Sequence, residues 1–488
     1  MPDVIVKTKN GSLRGFEQKG VLAYYGVPYA KAPVGALRFG KTQPAEDWQG
    51  VRDATKFGAN AWQTRKLKWE MSEDCLFLNI WRPDTQKTDL PVMFFIHGGS
   101  FATGAGSDPE LNGANLAKNG EVVVVTINYR LNVLGFLDFS FLDEAFCPNC
   151  GLYDILEALK WTHENIGAFG GDKENITVFG QSAGAICASV LSVMPEARPY
   201  IAKVIMMSGG PTLLYKKDFY QKIAKKYMEF MEIRTGEELM SLPAEKLALR
   251  HKEFASYCGL GAGTFMVEVD GNLVREYPIP AAKKGEGREI PILIGTTREE
   301  MSFFFIRPVA DMLDIRNIMD SGVGVEDDEV KESIVRCYER YGKKGPAIML
   351  SDMVFRMASM WFAESYHEHA DTWLYRFDYA TPAMKASRLH AFHSSDMPFV
   401  FGNFREGLAR LMFLFSLDKR KYMRVYREMQ QDFVMFAKEG RLAWEKVKNG
   451  KMTGKCYDEE CTFGHIVEPD ILEAYKKTDF RRRSFEEG

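Results

Sequence analysis

Five continuous runs of β-branched, aromatic and other apolar residues constrain this 488-residue chain more than any other feature: Val92 to Ile96, Val122 to Ile127, Ile176 to Phe179, Val204 to Met207 and Ile292 to Ile294. A strand with one wet face alternates polar and apolar residues. These runs do not alternate, so both of their faces must be covered, as in a mainly parallel sheet flanked by helices. Helical stretches fall between several of them. In one, Leu152, Ile155, Leu156 and Leu159 form a stripe at i, i+3, i+4, i+7, with Asp154, Glu157 and Lys160 mostly on other faces. Lys217 to Met231 repeats the device with Phe219, Ile223, Tyr227 and Phe230. The first eighty residues are turn-rich, and the short alternating segments Val4 to Lys7 and Val21 to Tyr25 suggest a small N-terminal antiparallel sheet. No internal repeat or linker interrupts the chain. The expectation is an α/β fold in a single domain over residues 1–488, with helical excursions near 212–290 and 307–370 of the kind that cap a sheet's carboxyl edge.

Charge narrows the partners. Sixty-three Lys and Arg against 66 Asp and Glu give a net charge of -3, without the basic excess that a phosphate backbone requires. Nucleic acid is therefore not expected. The longest apolar runs fall short of the ~20 residues of a membrane-spanning helix. The opening MPDVIVKTKNGS lacks the basic start, apolar stretch and cleavage site of a signal peptide, which favours a cytoplasmic setting.

Eight cysteines in so long a chain do not make a disulfide framework. Cys147 and Cys150, in CPNC, have the spacing of a redox motif or a metal half-site. A metal site would need a second Cys or His pair, and none is evident. A redox role would need the motif at the start of a helix, whereas here it reads as part of a loop. Ordinary reduced thiols are expected. His367 and His369 are the one close histidine pair, but two residues apart on a helix they point to different sides and read as surface groups.

Residues 176–194 read ITVFGQSAGAICASVLSVM: a β-branched strand, a G-x-S-x-G turn, then small and apolar residues suited to a packed helix. A serine on so tight a strand-to-helix turn tolerates no side chains beside it, and Gly180 and Gly184 supply that room. The turn would expose the Ser182 hydroxyl and aim the next helix's first amides, beginning with Ala183, at any developing negative charge. A serine alone is a poor nucleophile and needs a base and stabilising donors. Residues 97–101, HGGSF, follow a buried run directly, so Gly98 and Gly99 can turn their N–H groups toward a common point. With Ala183 they would make three donors.

Stretches from end to end carry a resemblance: GVPYAKAPVGALRF (26–39), SEDCLFLNIW (72–81), PVMFFIHGGSF (91–101), VVVVTINYRLNVLGFL (122–137), NIGAFGGDKENITVFGQSAGA (165–185), IMMSGG (205–210), IGTTREE (294–300) and FHSSDMPFVFGN (392–403). Together they resemble the type-B carboxylesterases of the cholinesterase-like α/β-hydrolase superfamily, most of all the bacterial para-nitrobenzyl esterases. The resemblance implies an α/β-hydrolase fold and hydrolysis of small-molecule carboxylic esters without a cofactor or metal, by a monomer or small homo-oligomer. Carried over by position, the nucleophile falls on Ser182, the acid on Glu300 and the base on His393. Their order along the chain is that of the hydrolase fold. In this scheme His393 takes the Ser182 proton and later returns one to the leaving alcohol, while Glu300 fixes the imidazole's tautomer and stabilises the imidazolium. Glu299, one residue of register away, is the rival acid, and His390 the rival base. Ser208 matches a family serine that resembles a partner of the acid.

The chain also departs from the family. The usual elbow reads G-E-S-A-G-G, whereas this one reads GQSAGA. The family's carboxylate there resembles a partner of the acid three residues after the base, here Asp396, so Gln181 is expected to remove one titrating group and to offer Asp396 a hydrogen bond. Cys75 sits where secreted members carry a paired cysteine, but the upstream FGANAWQTR holds none, so Cys75 is expected to be unpaired or differently paired. Phe101, Phe303, Phe304 and Phe305 are candidate apolar walls of the ester pocket by sequence proximity and by resemblance, although aromatics pack cores by default and core is the favoured place for each.

Overall fold

The structure is a computed structural model that describes residues 3–305, 315, 327–414, 416 and 419–476. The chain forms two compact units. One comprises residues 1–204 and 213–276, the other residues 205–212 and 277–488.

In the first unit the sheet runs, in spatial order, Asp3–Lys7, Ser12–Gln18, Val21–Pro28, Phe77–Pro83, Val123–Ile127, Leu90–Ile96 and Gly171–Gln181, with Val51–Asp53 beside Ser12–Gln18. The N-terminal pairs are antiparallel, the first two of them hairpins. From Leu90 onward the pairing turns parallel. The change follows from burial: Val92 to Ile96 and Val123 to Val125 have essentially no exposed surface, so helices must cover both faces, and a parallel crossover is the connection that supplies them. The helix Cys150–Asn165 buries the foreseen stripe of Leu152, Ile155, Leu156 and Leu159. It also buries Asp154, which the sequence placed among the polar positions. Arg130 accounts for the difference, because its Nη2 lies 2.7 Å from Asp154 Oδ1 and the pair shares the interior.

The segment after residue 213 carries the helices Lys217–Met231, Gly236–Ser241, Ala244–Leu249 and His251–Cys258, with a small parallel pair, Leu214–Lys216 and Val267–Val269. The buried face of Lys217–Met231 includes Tyr220, Ile223, Ala224, Tyr227, Met228 and Met231. Phe219, foreseen on that stripe, is exposed, one position out of phase with the buried Tyr220.

In the second unit Ile292–Thr297, Thr372–Phe377 and Thr453–Tyr457 pair in parallel, and Thr462–His465 closes the edge antiparallel. Ser208, just beyond the strand Lys203–Met207, donates its backbone N–H to Gly295 O at 2.8 Å. The helices Asp328–Glu339, Gly345–Ser351 and Met357–Tyr366 belong to this unit. The fold class is thus mixed α/β with mostly parallel pairing and antiparallel N-terminal strands. No helix among the described residues is long and apolar enough to cross a membrane.

Candidate active site

The strand Gly171–Gln181 ends at Gln181 and the helix Ala183–Ser192 begins two residues later. Ser182 alone makes the turn, at φ 57° and ψ -124°, a conformation that costs a non-glycine residue of order 1–3 kcal/mol and persists only where the surroundings over-determine it. The surroundings do so here. A Cβ on Gly184 would fall 2.0 Å from Ile96 O, and one on Gly180 would fall 2.3 Å from Gly184 O, so helix and strand can meet this closely only with glycine at both places.

Strand register brings the glycine loop to the same point. Ile96 pairs with Gly180, so His97 and Gly98 continue alongside Gln181 and Ser182. A Cβ on Gly98 would lie 2.6 Å from Gln181 O and 3.0 Å from Ser182 Cβ. Gly99, at φ 119°, and Ser100 and Phe101, at φ 53° and 57°, then fold the loop back on itself. His97 anchors it. Its ring stacks on Tyr129 at 4.4 Å, and its Nδ1 lies 2.8 Å from Gly98 O, an acceptor that requires Nδ1 to carry the proton. Burial pushes the His97 imidazole down to about 4, so it stays neutral and acts as a spacer rather than as a base. At the head of Ala183–Ser192 the first amides have no acceptor within their own helix. This unit therefore holds a strained serine beside a loop and a helix start that both expose amide donors.

The second unit holds the base and acid candidates. The His393 Nδ1 lies 2.6 Å from Glu300 Oε2, while Glu300 Oε1 accepts the Thr297 N–H at 2.7 Å. Both carboxylate oxygens are thereby occupied and the side chain is fully buried. The backbone N–H of His393 donates to Glu300 O, and Phe355 stacks on the imidazole at 4.6 Å. Glu299 points elsewhere: it accepts the Ala391 N–H and lies 3.9 Å from Arg298. The one-residue ambiguity in register is thus a difference of side: Glu300 meets the imidazole and Glu299 meets cations. His390 lies apart from that carboxylate, in a segment where burial and the cations Lys344, Lys385 and Arg298 lower its basicity.

Three sequence readings concern single side chains. Phe101 is fully buried, with its ring 4.6 Å from Phe136, the core placement that aromatic packing favoured over a pocket wall. The Asp396 carboxyl accepts a hydrogen bond from the Tyr375 hydroxyl at 3.3 Å, and its Oδ1 has no hydrogen-bond partner among the described residues. Burial, reinforced by the Glu300 charge, pushes Asp396 up to about 7. The Ser208 hydroxyl is buried at φ 53° without a hydrogen-bond partner among the described residues, so it does not serve the acid as a partner here. The side chains of Phe303, Phe304 and Phe305 lie outside the described residues.

A model of the carboxylesterase family matches residues 2–458. The chain belongs to the carboxylesterase family. This carboxylesterase is 35% identical to the para-nitrobenzyl esterase of Bacillus subtilis over 497 residues, covering 99% of each chain. It is 30% identical to the phenmedipham hydrolase of Pseudarthrobacter oxydans, over 89% of this chain and 90% of that one. A solved carboxylesterase of Geobacillus stearothermophilus superposes with a TM-score of 0.85 at 34% identity, covering 99% of this chain and 100% of that one. The molecule is accordingly a serine hydrolase that acts on small-molecule esters.

The sequence reading missed the brace behind the candidate acid, Glu300. Arg356 is buried and donates to Thr296 Oγ1 at 3.2 Å, to Thr297 O at 2.8 Å and to Arg298 O at 2.6 Å, holding the backbone that leads to Glu300. Asp352 pairs with the same guanidinium and accepts the Tyr338 hydroxyl at 2.8 Å. A signal was available: Asp352 and Arg356 are charges at i, i+4 inside the otherwise apolar stretch IMLSDMVFRMASMWF. Charges so placed must be paired. Among the described residues no cluster of His, Cys, Asp and Glu is arranged to hold a metal.

Proposed function

We propose that this carboxylesterase hydrolyses aryl and short-chain carboxylic esters through an acyl-enzyme formed on Ser182. His393 removes the hydroxyl proton as Ser182 attacks the ester carbonyl, and the resulting imidazolium is stabilised by Glu300. The tetrahedral oxyanion is met by the N–H groups of Gly98, Gly99 and Ala183. His393 then protonates the departing alcohol, and water resolves the acyl-enzyme by the same route in reverse. The observation that carries the reading is the bond from His393 Nδ1 to Glu300 Oε2, 2.6 Å long. It commits Nδ1 to the carboxylate and leaves Nε2 as the nitrogen that accepts a proton. No residue in the scheme calls for a cofactor. Para-nitrobenzyl esters, for which the Bacillus subtilis relative is named, are the benzyl esters to try beside the aryl esters para-nitrophenyl acetate and butyrate.

A rapid-mixing assay with para-nitrophenyl acetate tests this. The native chain is expected to release a burst of nitrophenolate stoichiometric with enzyme and to gain an acyl group on the peptide holding Ser182. Ser182→Ala is expected to show neither. An acyl adduct on any other residue would end the proposal.

A further inference from the structure

Cys147 and Cys150 take no part in the ester chemistry, yet their placement is specific. Read from sequence, the CPNC motif lies in a loop. In the structure Cys150 is the first residue of the 16-residue helix Cys150–Asn165, and Asn149 enters it at φ 57°. The condition that a redox motif demands, a cysteine at a helix N-terminus, is therefore met, because first-turn amides and the helix dipole favour the thiolate there. The second observation is the partner: Cys147 Sγ lies 3.5 Å from Cys150 Sγ. Cys150 is buried and Cys147 half-buried, on a loop whose neighbours Asp143, Glu144 and Ala145 are exposed.

The surroundings separate the roles of the two thiols. The contact with the Cys147 sulfur holds the Cys150 thiol below its ordinary value, and the Arg130 guanidinium, which also donates to Cys150 O at 3.2 Å, adds to this against the opposing effect of burial. The same contact, with burial, pushes the Cys147 thiol up. Cys75 and Cys187 are buried elsewhere, and burial raises their thiols. The frame around the pair does not depend on its thiol protons. The Cys147 N–H donates to Phe39 O at 2.9 Å whatever the state of the sulfurs, while Cys150 Sγ makes weak contacts to Cys147 O at 3.2 Å, Phe39 O at 3.3 Å and Gly40 O at 3.8 Å.

We propose that Cys147 and Cys150 form a redox-active dithiol whose co-substrate is a low-molecular-weight disulfide of the glutathione type. Cys147, the less buried of the two, attacks the co-substrate as its proton passes to the Cys150 thiolate 3.5 Å away, and forms a mixed disulfide. One thiolate of the co-substrate leaves and takes up that proton, which restores the Cys150 thiolate. The Cys150 thiolate then attacks Cys147 Sγ, forming the Cys147–Cys150 bond and breaking the mixed one, and the second thiolate departs and is protonated. Two protein thiols become one disulfide as one small disulfide becomes two thiols. The sulfurs must close from 3.5 Å to about 2.05 Å, a side-chain movement within the loop and first helical turn.

The test equilibrates the reduced full-length chain in buffers of varying reduced to oxidised glutathione, quenches with acid, alkylates free thiols and maps them by peptide mass. In the native chain Cys147 and Cys150 are expected to lose alkylation together, with an intramolecular disulfide between them that reduced glutathione reverses. Cys150→Ser should instead retain glutathione on Cys147, and Cys147→Ser should form neither species. Unfolding midpoints and ester turnover of the reduced variants check that they fold, and the native chain decides the matter if they do not. A lasting glutathione on native Cys147 with Cys150 still alkylated, or both thiols free in fully oxidised glutathione, would overturn the proposal. The burst assay at Ser182 is independent of either result.

Discussion

At the scale of single residues, the site depends on carbon atoms that are missing. Gly98 has no room for a methyl group between Gln181 O at 2.6 Å and Ser182 Cβ at 3.0 Å. Gly98→Ala must therefore push the loop off the elbow and misdirect its amides. Its kcat toward para-nitrophenyl acetate is expected to fall roughly 10²- to 10³-fold, the scale of losing one oxyanion donor, while the chain still unfolds cooperatively. A loss under about tenfold would show that the loop's position does not set the donor geometry. Asp396 supports a second prediction. Lifted to about 7 by burial and then by Glu300, it gains its negative charge near neutral pH. Asp396→Asn cannot ionise, so whatever inflection this carboxyl gives the kcat/KM profile near neutral pH is expected to vanish. An unchanged profile would separate Asp396 from the titration that matters. These positions were unequally legible. Gly98 and Ser182 could be read because their requirement is local backbone space, whereas the Asp396 partner, Tyr375, sits on a different strand and only packing brings the two together.

At the scale of elements, the backbone leading to the proposed acid Glu300 is held by a turn of helix widened to π geometry, Asp352–Arg356, an irregularity that recurs at functional sites. Removing one partner of its buried ion pair is expected to be costly. Arg356→Met leaves the Asp352 charge unpaired in the interior and should lower the unfolding free energy by ~3–5 kcal/mol in urea titrations. The same change frees the backbone of residues 296–298, so kcat should fall as well. The double variant Arg356→Met with Asp352→Leu separates the two roles: stability should largely return, since no lone charge remains, but kcat should not. Recovery of both would reduce the pair to a structural element without influence on the acid. Helix phase shows how far periodicity carries. The stripe of Cys150–Asn165 was legible because four leucine and isoleucine positions specify one face. The burial of Asp154 was not, because it depends on Arg130, 24 residues earlier in the chain.

For the molecule as a whole, buried carboxyls set the response to pH. Glu268 has no exposed surface and neither carboxylate oxygen has a hydrogen-bond partner among the described residues. Burial, with Asp138 and Asp270 adding repulsion and Lys217 opposing, pushes it from 4.5 to about 9. A raised carboxyl is protonated in the folded chain and ionised in the unfolded one between those values. Its contribution to stability is therefore complete below 4.5 and is lost as pH rises toward about 9. Glu268→Gln, which cannot ionise, is expected to gain stability relative to the native chain progressively across that window, and the gain should level off above it. Paired urea titrations from pH 4 to about 10 measure the difference, and a gain independent of pH would show that Glu268 does not titrate as its burial implies.

What the sequence determined by itself was whatever is written in consecutive residues. Runs buried on both faces demanded a mostly parallel sheet, G-x-S-x-G between strand and helix demanded a strained serine, and HGG after a strand demanded a loop of free amides. Each requirement is a matter of dihedral angles and periodicity within a few residues. Tertiary structure decided everything that depends on partners distant along the chain. It directed Glu300 rather than Glu299 to an imidazole 93 residues away, placed Phe101 in the core, paired Asp154 with Arg130, and set a half-buried thiol against a buried one at the head of a helix. The reason is physical. Spacing along the chain sets which direction a side chain leaves the backbone, but the energy of burying a charge or a thiol depends on what packing brings to meet it.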